Sequence, residues 1–99
     1  MALRIRWSKP GIQSFEDICL YIEQFSMPYA RLLAKEINLR VRHLAEHPLM
    51  GRKVPEFPEK DYREVIYRDY RIIYRVNPEA VEIGLIWHGA RILEEPFAS

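Results

Sequence analysis

Apolar residues fall at two spacings along this chain, and the switch from one to the other predicts the order of its elements. Leu3, Ile5 and Trp7 alternate with Arg4 and Arg6, a period of two that suits a half-exposed strand over residues 2–7. Ser8 can then cap a helix, with Pro10 in the first turn, where no intrahelical amide bond is lost. Ile12, Phe15, Ile18, Cys19 and Ile22 recur three or four apart, which assigns them to one buried face and turns Gln13, Glu16, Asp17 and Glu23 toward water. Ser26-Met27-Pro28 repeats the cap-and-proline signal, and Ala30, Leu33, Ala34, Ile37, Val41 and Leu44 keep helical spacing until Pro48 stops the pattern. Two helices with a short connection make a helical hairpin.

Pro48, Pro55, Pro58 and Gly51 exclude a helix over residues 48–60, which read as an irregular crossing loop anchored by Val54 and Phe57. Then come three segments rich in β-branched and aromatic residues: Tyr62 to Tyr67, Tyr70 to Val76 and Val81 to His88. Arg68-Asp69 and Asn77-Pro78-Glu79-Ala80 separate them as turns, so they form an antiparallel meander. Tyr70, Ile72, Tyr74 and Val76, with Val81, Ile83, Leu85 and Trp87, alternate onto what is expected to be the core face. The opposite face is expected to collect Arg71, Ile73, Arg75, Gly84, Ile86 and His88, a mixed basic and apolar surface that suits a partner. The turn length leaves both faces open to Arg63. The order predicts an α+β fold in one domain spanning residues 1–99, with an N-terminal strand, a helical hairpin and a three-stranded antiparallel meander. The helices are expected to pack on one face of the sheet, and the tail from Leu93 to Ser99 to be extended.

Composition narrows the class. With 48% hydrophobic and 29% charged residues, the chain has the apolar material for a core and lacks the signature of disorder. Its formal net charge of +1 gives no whole-molecule attraction for nucleic acid or anionic membrane. Basic residues gather locally instead: Arg52, Lys53, Lys60, Arg63, Arg68, Arg71 and Arg75 stand against Glu56, Glu59, Asp61, Glu64 and Asp69. Cys19 is the only cysteine, so there is no internal disulfide, and a reducing compartment follows. No apolar run reaches the length of a signal-peptide core or a membrane span, and the expected location is the cytoplasm.

Three local patterns then carry a resemblance. Pro48-Leu49-Met50-Gly51-Arg52 follows the second helix, Tyr70-Arg71-Ile72-Ile73-Tyr74-Arg75 forms the central strand, and His88-Gly89-Ala90-Arg91 ends the last one, with Arg63-Glu64 upstream in step. In this order and spacing the chain resembles the ParE/RelE toxin superfamily over nearly its whole length. The resemblance implies a bacterial toxin neutralised by a small ParD-like antitoxin. ParE-like members hold DNA gyrase in a harmful complex, whereas RelE-like members cut messenger RNA in the ribosomal A site, so fold does not decide the target.

Messenger cleavage needs a base for the 2′-hydroxyl, a donor for the leaving oxygen and cations for the phosphorane. Arg63, Arg71, Arg75 and Arg91 are candidate cations, and His88 is the one histidine on the sheet. Against this, nuclease branches place a tyrosine or a histidine–tyrosine pair near the end of the last strand, and this chain has no tyrosine after Tyr74. His88 also reads as a strand-end histidine bonded to a carbonyl or to Glu94, and Arg71 as a partner of Glu64 or Glu82. Tyr70 and Tyr74 share the period of Ile72 and Val76 and read as core aromatics. His43 and His47 have metal-ligand spacing without a third ligand pattern, so no metal and no cofactor is expected. Poisoning gyrase needs a surface and no catalytic group, which makes a gyrase-directed toxin the expectation. The alternatives are a ribosome-dependent endoribonuclease using Arg63, Arg71, His88 and Arg91, or an inactive toxin-derived binding module. The antitoxin is expected to lay an amphipathic helix on Ile73 and Ile86 and to meet Arg71, Arg75 or Arg91 with acidic side chains, and His88 joins these as an antitoxin- or target-binding candidate. Neither a membrane nor a small-molecule substrate is expected.

Overall fold

The computed structural model describes residues 2–89, 91 and 93–97. Strand β1 (Arg4–Trp7) leads into helices α1 (Lys9–Glu23) and α2 (Met27–His43), followed by β2 (Arg52–Lys53), β3 (Tyr62–Tyr67), β4 (Tyr70–Val76) and β5 (Ala80–His88). Among the described residues these strands form one sheet in the order β1-β5-β4-β3-β2. The α+β architecture and the β3-β4-β5 meander agree with the pattern read from the sequence. Two features extend it: β1 pairs in parallel with β5, and the two-residue β2 adds an edge beside β3.

Both helices start where a serine satisfies an orphan amide. Ser8 Oγ accepts from the Gly11 amide at 3.0 Å and Ser26 Oγ from the Tyr29 amide at 3.2 Å, with Pro10 and Pro28 just inside each start. Helix α2 ends at His43, earlier than the apolar pattern, which runs on to Leu44. The last amides switch to carbonyls three residues back, Leu44 to Val41 and Ala45 to Arg42, so Leu44 stays fully buried on a tightened final turn.

The main core lies between the hairpin and one face of the sheet. Leu33, Ile37, Val41 and Leu44 from α2 meet Tyr67, Tyr70, Ile72, Tyr74, Val81, Ile83 and Ile86 from the strands, with Phe15, Ile18 and Ile22 of α1 at the margin. Ile12, expected on the buried face of α1, is instead 47% exposed. Gly11 occupies the inner position, because a Cβ there would stand 2.7 Å from the Ile83 carbonyl oxygen. That absence lets the first turns of α1 lie directly on β5.

Strand β5 departs from simple alternation at Gly84. Ile73 pairs with Leu85 but Tyr74 pairs with Ile83, so Gly84 is an extra residue and every side chain after it changes face. Ile86 and His88 therefore point to the helical side, and Leu85 and Trp87 to the other, the reverse of the expected parity. Strand β1 stops opposite Ile83, and side chains of the α1 region take over the β5 edge. Ser8 Oγ donates to the Gly84 carbonyl at 3.1 Å, and Ser14 Oγ accepts from the Ile86 amide at 2.9 Å.

The second face of the sheet is covered too. Val54, Tyr62, Ile73 and Leu93 form a smaller core, with Phe57, Trp87 and Phe97 packed against it. Val54 and Phe57 thus anchor the crossing loop as the sequence predicts, while the tail does more than extend: Leu93 and Phe97 help to roof the sheet. The expected open surface is corrected here, because Ile73 is fully buried under loop and tail and Ile86 is buried against the helices. Ala90 of the last motif and Ala98–Ser99 of the tail lie outside the described residues.

Candidate functional site

The loop motif, Arg63-Glu64 and the central-strand motif meet in space, and their meeting organises the polar part of the protein. Tyr74 Oη donates to the Pro48 carbonyl at 2.7 Å and accepts from the Gly51 amide at 2.9 Å. A Cβ at Gly51 would fall 2.6 Å from that hydroxyl oxygen and 2.7 Å from the Glu64 carbonyl, so the loop needs glycine there. Arg63, opposite Tyr74 in the ladder, faces the helical side and donates to the Gly51 carbonyl at 2.8 Å.

On the other face, Glu64 is buried to 1% exposure with each carboxylate oxygen held. Arg71 Nε donates to Oε1 and Arg52 Nε to Oε2, both at 2.6 Å. The terminal nitrogens of Arg71 form a two-pronged contact with Glu56 of the crossing loop, each prong at 2.7 Å. The hydrogen bonds from Arg71 hold the Glu56 carboxyl below its ordinary range, and those same bonds to Glu56 lead in raising the guanidinium above its own. Arg71 is therefore a clamp between loop and strand. Arg75 is exposed, pairs with Glu82 at 2.8 Å and lies over the Phe97 ring at 4.1 Å.

Two clefts adjoin at the far end of β5, and His88 lines both. One, of about 490 Å³, is bounded by Arg52, Glu56, Ile66, Arg68, Asp69 and Arg71. The other, of about 810 Å³, runs between α1 and β5 along Ser14, Ile18, Tyr21, Tyr70, Trp87 and Arg91. Its walls are mostly apolar, while Asp17 and Arg91 supply charge at its rim. The His88 ring meets Tyr70 edge-on at 5.5 Å, and burial of Tyr70 raises its hydroxyl above the ordinary value. Apolar surface continues past the cleft to the tip of the hairpin, where Tyr21 and Phe25 are in edge contact at 5.3 Å and 61% and 72% exposed. An exposed apolar strip rimmed by polar groups is what an interacting surface requires.

The sequence candidates are divided by this geometry. His88 and Arg71 share the smaller cleft, His88 and Arg91 the larger, and Arg63 lines neither. Arg63 sits opposite Tyr74 and His88 opposite Tyr70, four positions along β4, or about 13 Å at ~3.3 Å per residue. Neither of these two clefts unites the four groups a phosphodiester cleavage was expected to recruit. His43 and His47 stack with their ring centroids 4.8 Å apart, and no cluster of three or more metal-ligating residues occurs among the described residues. The sequence reading missed Tyr21 and Ile18 as groove residues because they were absorbed into, or left off, an assumed core stripe. It missed Glu56 because no local pattern joins a loop carboxylate to a strand arginine.

Comparison with known proteins agrees with this architecture. Residues 5–93 match the family model described as ParE toxin of type II toxin-antitoxin system, parDE. Y4kP, a candidate toxin of Sinorhizobium fredii, is 33% identical over 87 residues, covering 86% of each chain. A chain of the chromosomal ParDE TA system from P. aeruginosa superposes with a TM-score of 0.72 at 19% identity. The match covers 88% of this chain and 96% of that one, and at this identity it speaks for the fold.

Proposed function

This chain belongs to the ParE toxin family of type II toxin-antitoxin systems, and from that premise we propose that it acts by binding DNA gyrase, with no catalytic group of its own, and is neutralised by a cognate ParD-like antitoxin. The observation that carries the reading is the state of the candidate nuclease groups. Arg71 directs its nitrogens to Glu56 and Glu64, Arg63 is engaged with the loop backbone, and His88 lies four positions along β4 from Arg63. A cleaving site needs its acid, base and cations around one phosphate. A poison of a protein–DNA complex needs shape and charge on a surface, and the groove beside α1 with Arg91 and His88 at its rim supplies both.

The same groove suits the antitoxin better than the sheet face first expected to receive it, since Ile73 and Ile86 are internal. An amphipathic helix laid along Ile18, Tyr21 and Ile22 would bury apolar surface, and an acidic residue near its end would meet Arg91. Arg75 offers a second charged contact beyond the groove. No described helix is long and apolar enough to cross a membrane, and a cytoplasmic site of action is part of the proposal.

Purified gyrase is the test, assayed for supercoiling with toxin released from its antitoxin, beside a cell-free translation reaction on the same preparation. Inhibited supercoiling with normal translation supports the reading. Cleaved message with untouched gyrase overturns it in favour of the endoribonuclease, and a folded sample silent in both assays leaves the inactive binding module.

A further inference from the structure

We propose that the sheet face opposite the helices is a recognition slot for an extended protein segment of the pattern apolar-x-acidic-x-aromatic, and that the chain's own residues 93–97 are its displaceable resident. This goes beyond the toxin reading, because it rests on the geometry of the slot alone.

The tail enters as a ligand would. Leu93 lies in the cluster around Ile73, Glu95 accepts the Tyr62 hydroxyl at 2.6 Å, and Phe97 is held between the Tyr62 ring, 5.0 Å away, and the Arg75 guanidinium, at 4.1 Å. The pocket for that aromatic ring is built into the strand. A Cβ at Gly84 would stand 2.7 Å from Phe97 Cζ, although Gly84 does not need glycine for its backbone angles. The bulge and the missing side chain together open the place that the ring fills. Glu95 Oε1 also accepts the Phe97 amide at 3.0 Å, which fixes the spacing between acid and aromatic.

What holds the tail is local and renewable by another chain. One carboxylate–hydroxyl bond, the contacts of Phe97 with Arg75 and Tyr62, and the burial of Leu93 and Pro96 secure a segment of five residues, few enough contacts for it to open locally before the rest of the fold. Once lifted, it leaves Ile73 and Trp87 with only the crossing loop beside them, a partly bared apolar surface that favours replacement by a segment of the same chemistry. The tether gives the tail an effective concentration in the millimolar range, so a competing segment succeeds best when its own protein is already bound elsewhere on this chain. The slot therefore selects a second contact of a partner that has docked first.

The test uses the full chain and a fluorescent synthetic peptide with the sequence of residues 91–99, read by anisotropy and by the amide shifts of Ile73 and Gly84. Phe97→Ala in the chain frees the ring pocket, and the peptide should bind this variant at least about tenfold tighter than the unaltered chain. Glu95→Gln in the chain loosens the tail while leaving every slot residue intact, and should shift affinity in the same direction should Phe97→Ala reduce the yield of folded protein. Adding Gly84→Ala to either variant should abolish binding, and replacing the phenylalanine of the peptide by alanine should weaken it at least about tenfold. Equal affinity for all chains, no binding to either loosened chain, or binding that leaves Ile73 and Gly84 unmoved overturns the proposal.

Discussion

Arg71 Nε meets Glu64 Oε1 at 2.6 Å in a part of the sheet where Glu64 is almost wholly excluded from water. Such a pair contributes little net stability when complete, but removing Arg71 leaves the buried Glu64 to the exposed Arg52 alone and Glu56 without its clamp, at a cost of up to about 3–5 kcal/mol. Arg71→Ala is therefore expected to lower stability by that order in a urea titration and to reduce soluble protein. Arg71→Lys should rescue little, because one ammonium cannot reach Glu64 and hold both oxygens of Glu56. An Arg71→Ala protein as stable as the parent would show that the clamp is dispensable.

The contact between Tyr62 and Glu95 predicts a pH window for the closed tail. Burial, with the bond to Glu95 second, pushes the Tyr62 hydroxyl up to about 12, and the hydrogen bond from Tyr62 holds the Glu95 carboxyl below its usual range. A raised folded value stabilises fully below the unfolded one, about 10 for tyrosine, and its contribution is lost as pH rises through about 12. A depressed carboxyl contributes above its unfolded value, about 4.3, and loses that contribution as pH falls through the folded one. Hydrogen exchange at the Phe97 amide, adjusted for intrinsic rate, should be slowest between these limits. Tyr62→Phe should flatten the alkaline limb and Glu95→Gln the acid limb; unchanged limbs in both variants would break the assignment.

Gly11→Ala sets helix propensity against packing. In an exposed helix interior alanine gains about 1 kcal/mol over glycine. Here the added Cβ would lie 2.7 Å from the Ile83 carbonyl oxygen and 3.1 Å from Ser8 Oγ, and a strand carbonyl does not move aside easily. Packing is expected to win, with a net loss of about 1–3 kcal/mol in thermal or chemical denaturation. The Ser14 contact to the Ile86 amide should loosen with it, seen as faster exchange at Ile86. A more stable Gly11→Ala protein would mean that α1 is not tightly seated on β5.

These cases show which parts of the fold are legible in sequence. Serine–proline pairs mark both helix starts, and the apolar periods mark three long strands, because each is a local preference of backbone and side chain. Face assignment in β5 failed past Gly84 because alternation assumes an unbroken ladder. A lone glycine inside a strand pattern was the available sign of a bulge. Strand β2 has two residues and no pattern to read, and the parallel pairing of β1 with β5 joins opposite ends of the chain. The motifs behind the family resemblance were legible as text but not as physics: Tyr74 with Gly51 holds the crossing loop to the sheet, and Arg71 joins Glu64 of the next strand to Glu56 of that loop. That is why Arg71, a plausible site residue by pattern, sits inside a clamp, while the groove is lined by Tyr21 and Ile18 of a helix whose periodicity suggested only core.

The groove beside α1 carries the most direct functional prediction. Tyr21 is 61% exposed and Arg91 is exposed at the rim, so changing either removes surface without opening a core. Tyr21→Asp and Arg91→Glu should each weaken antitoxin affinity or gyrase inhibition at least about tenfold, roughly 1.4 kcal/mol, with the melting temperature held within a degree or two. Arg71→Ala, by contrast, should lose function only in proportion to folded protein. The loss for Arg91→Glu should also diminish at high salt, because a rim charge acts through a screened field. Calorimetric titration with the antitoxin and the supercoiling assay read the two partners separately, so a variant that fails in one alone assigns its residue to that partner. Full antitoxin affinity and full inhibition in both variants would remove the groove from the functional surface and move the search to Arg75 and the sheet's other face.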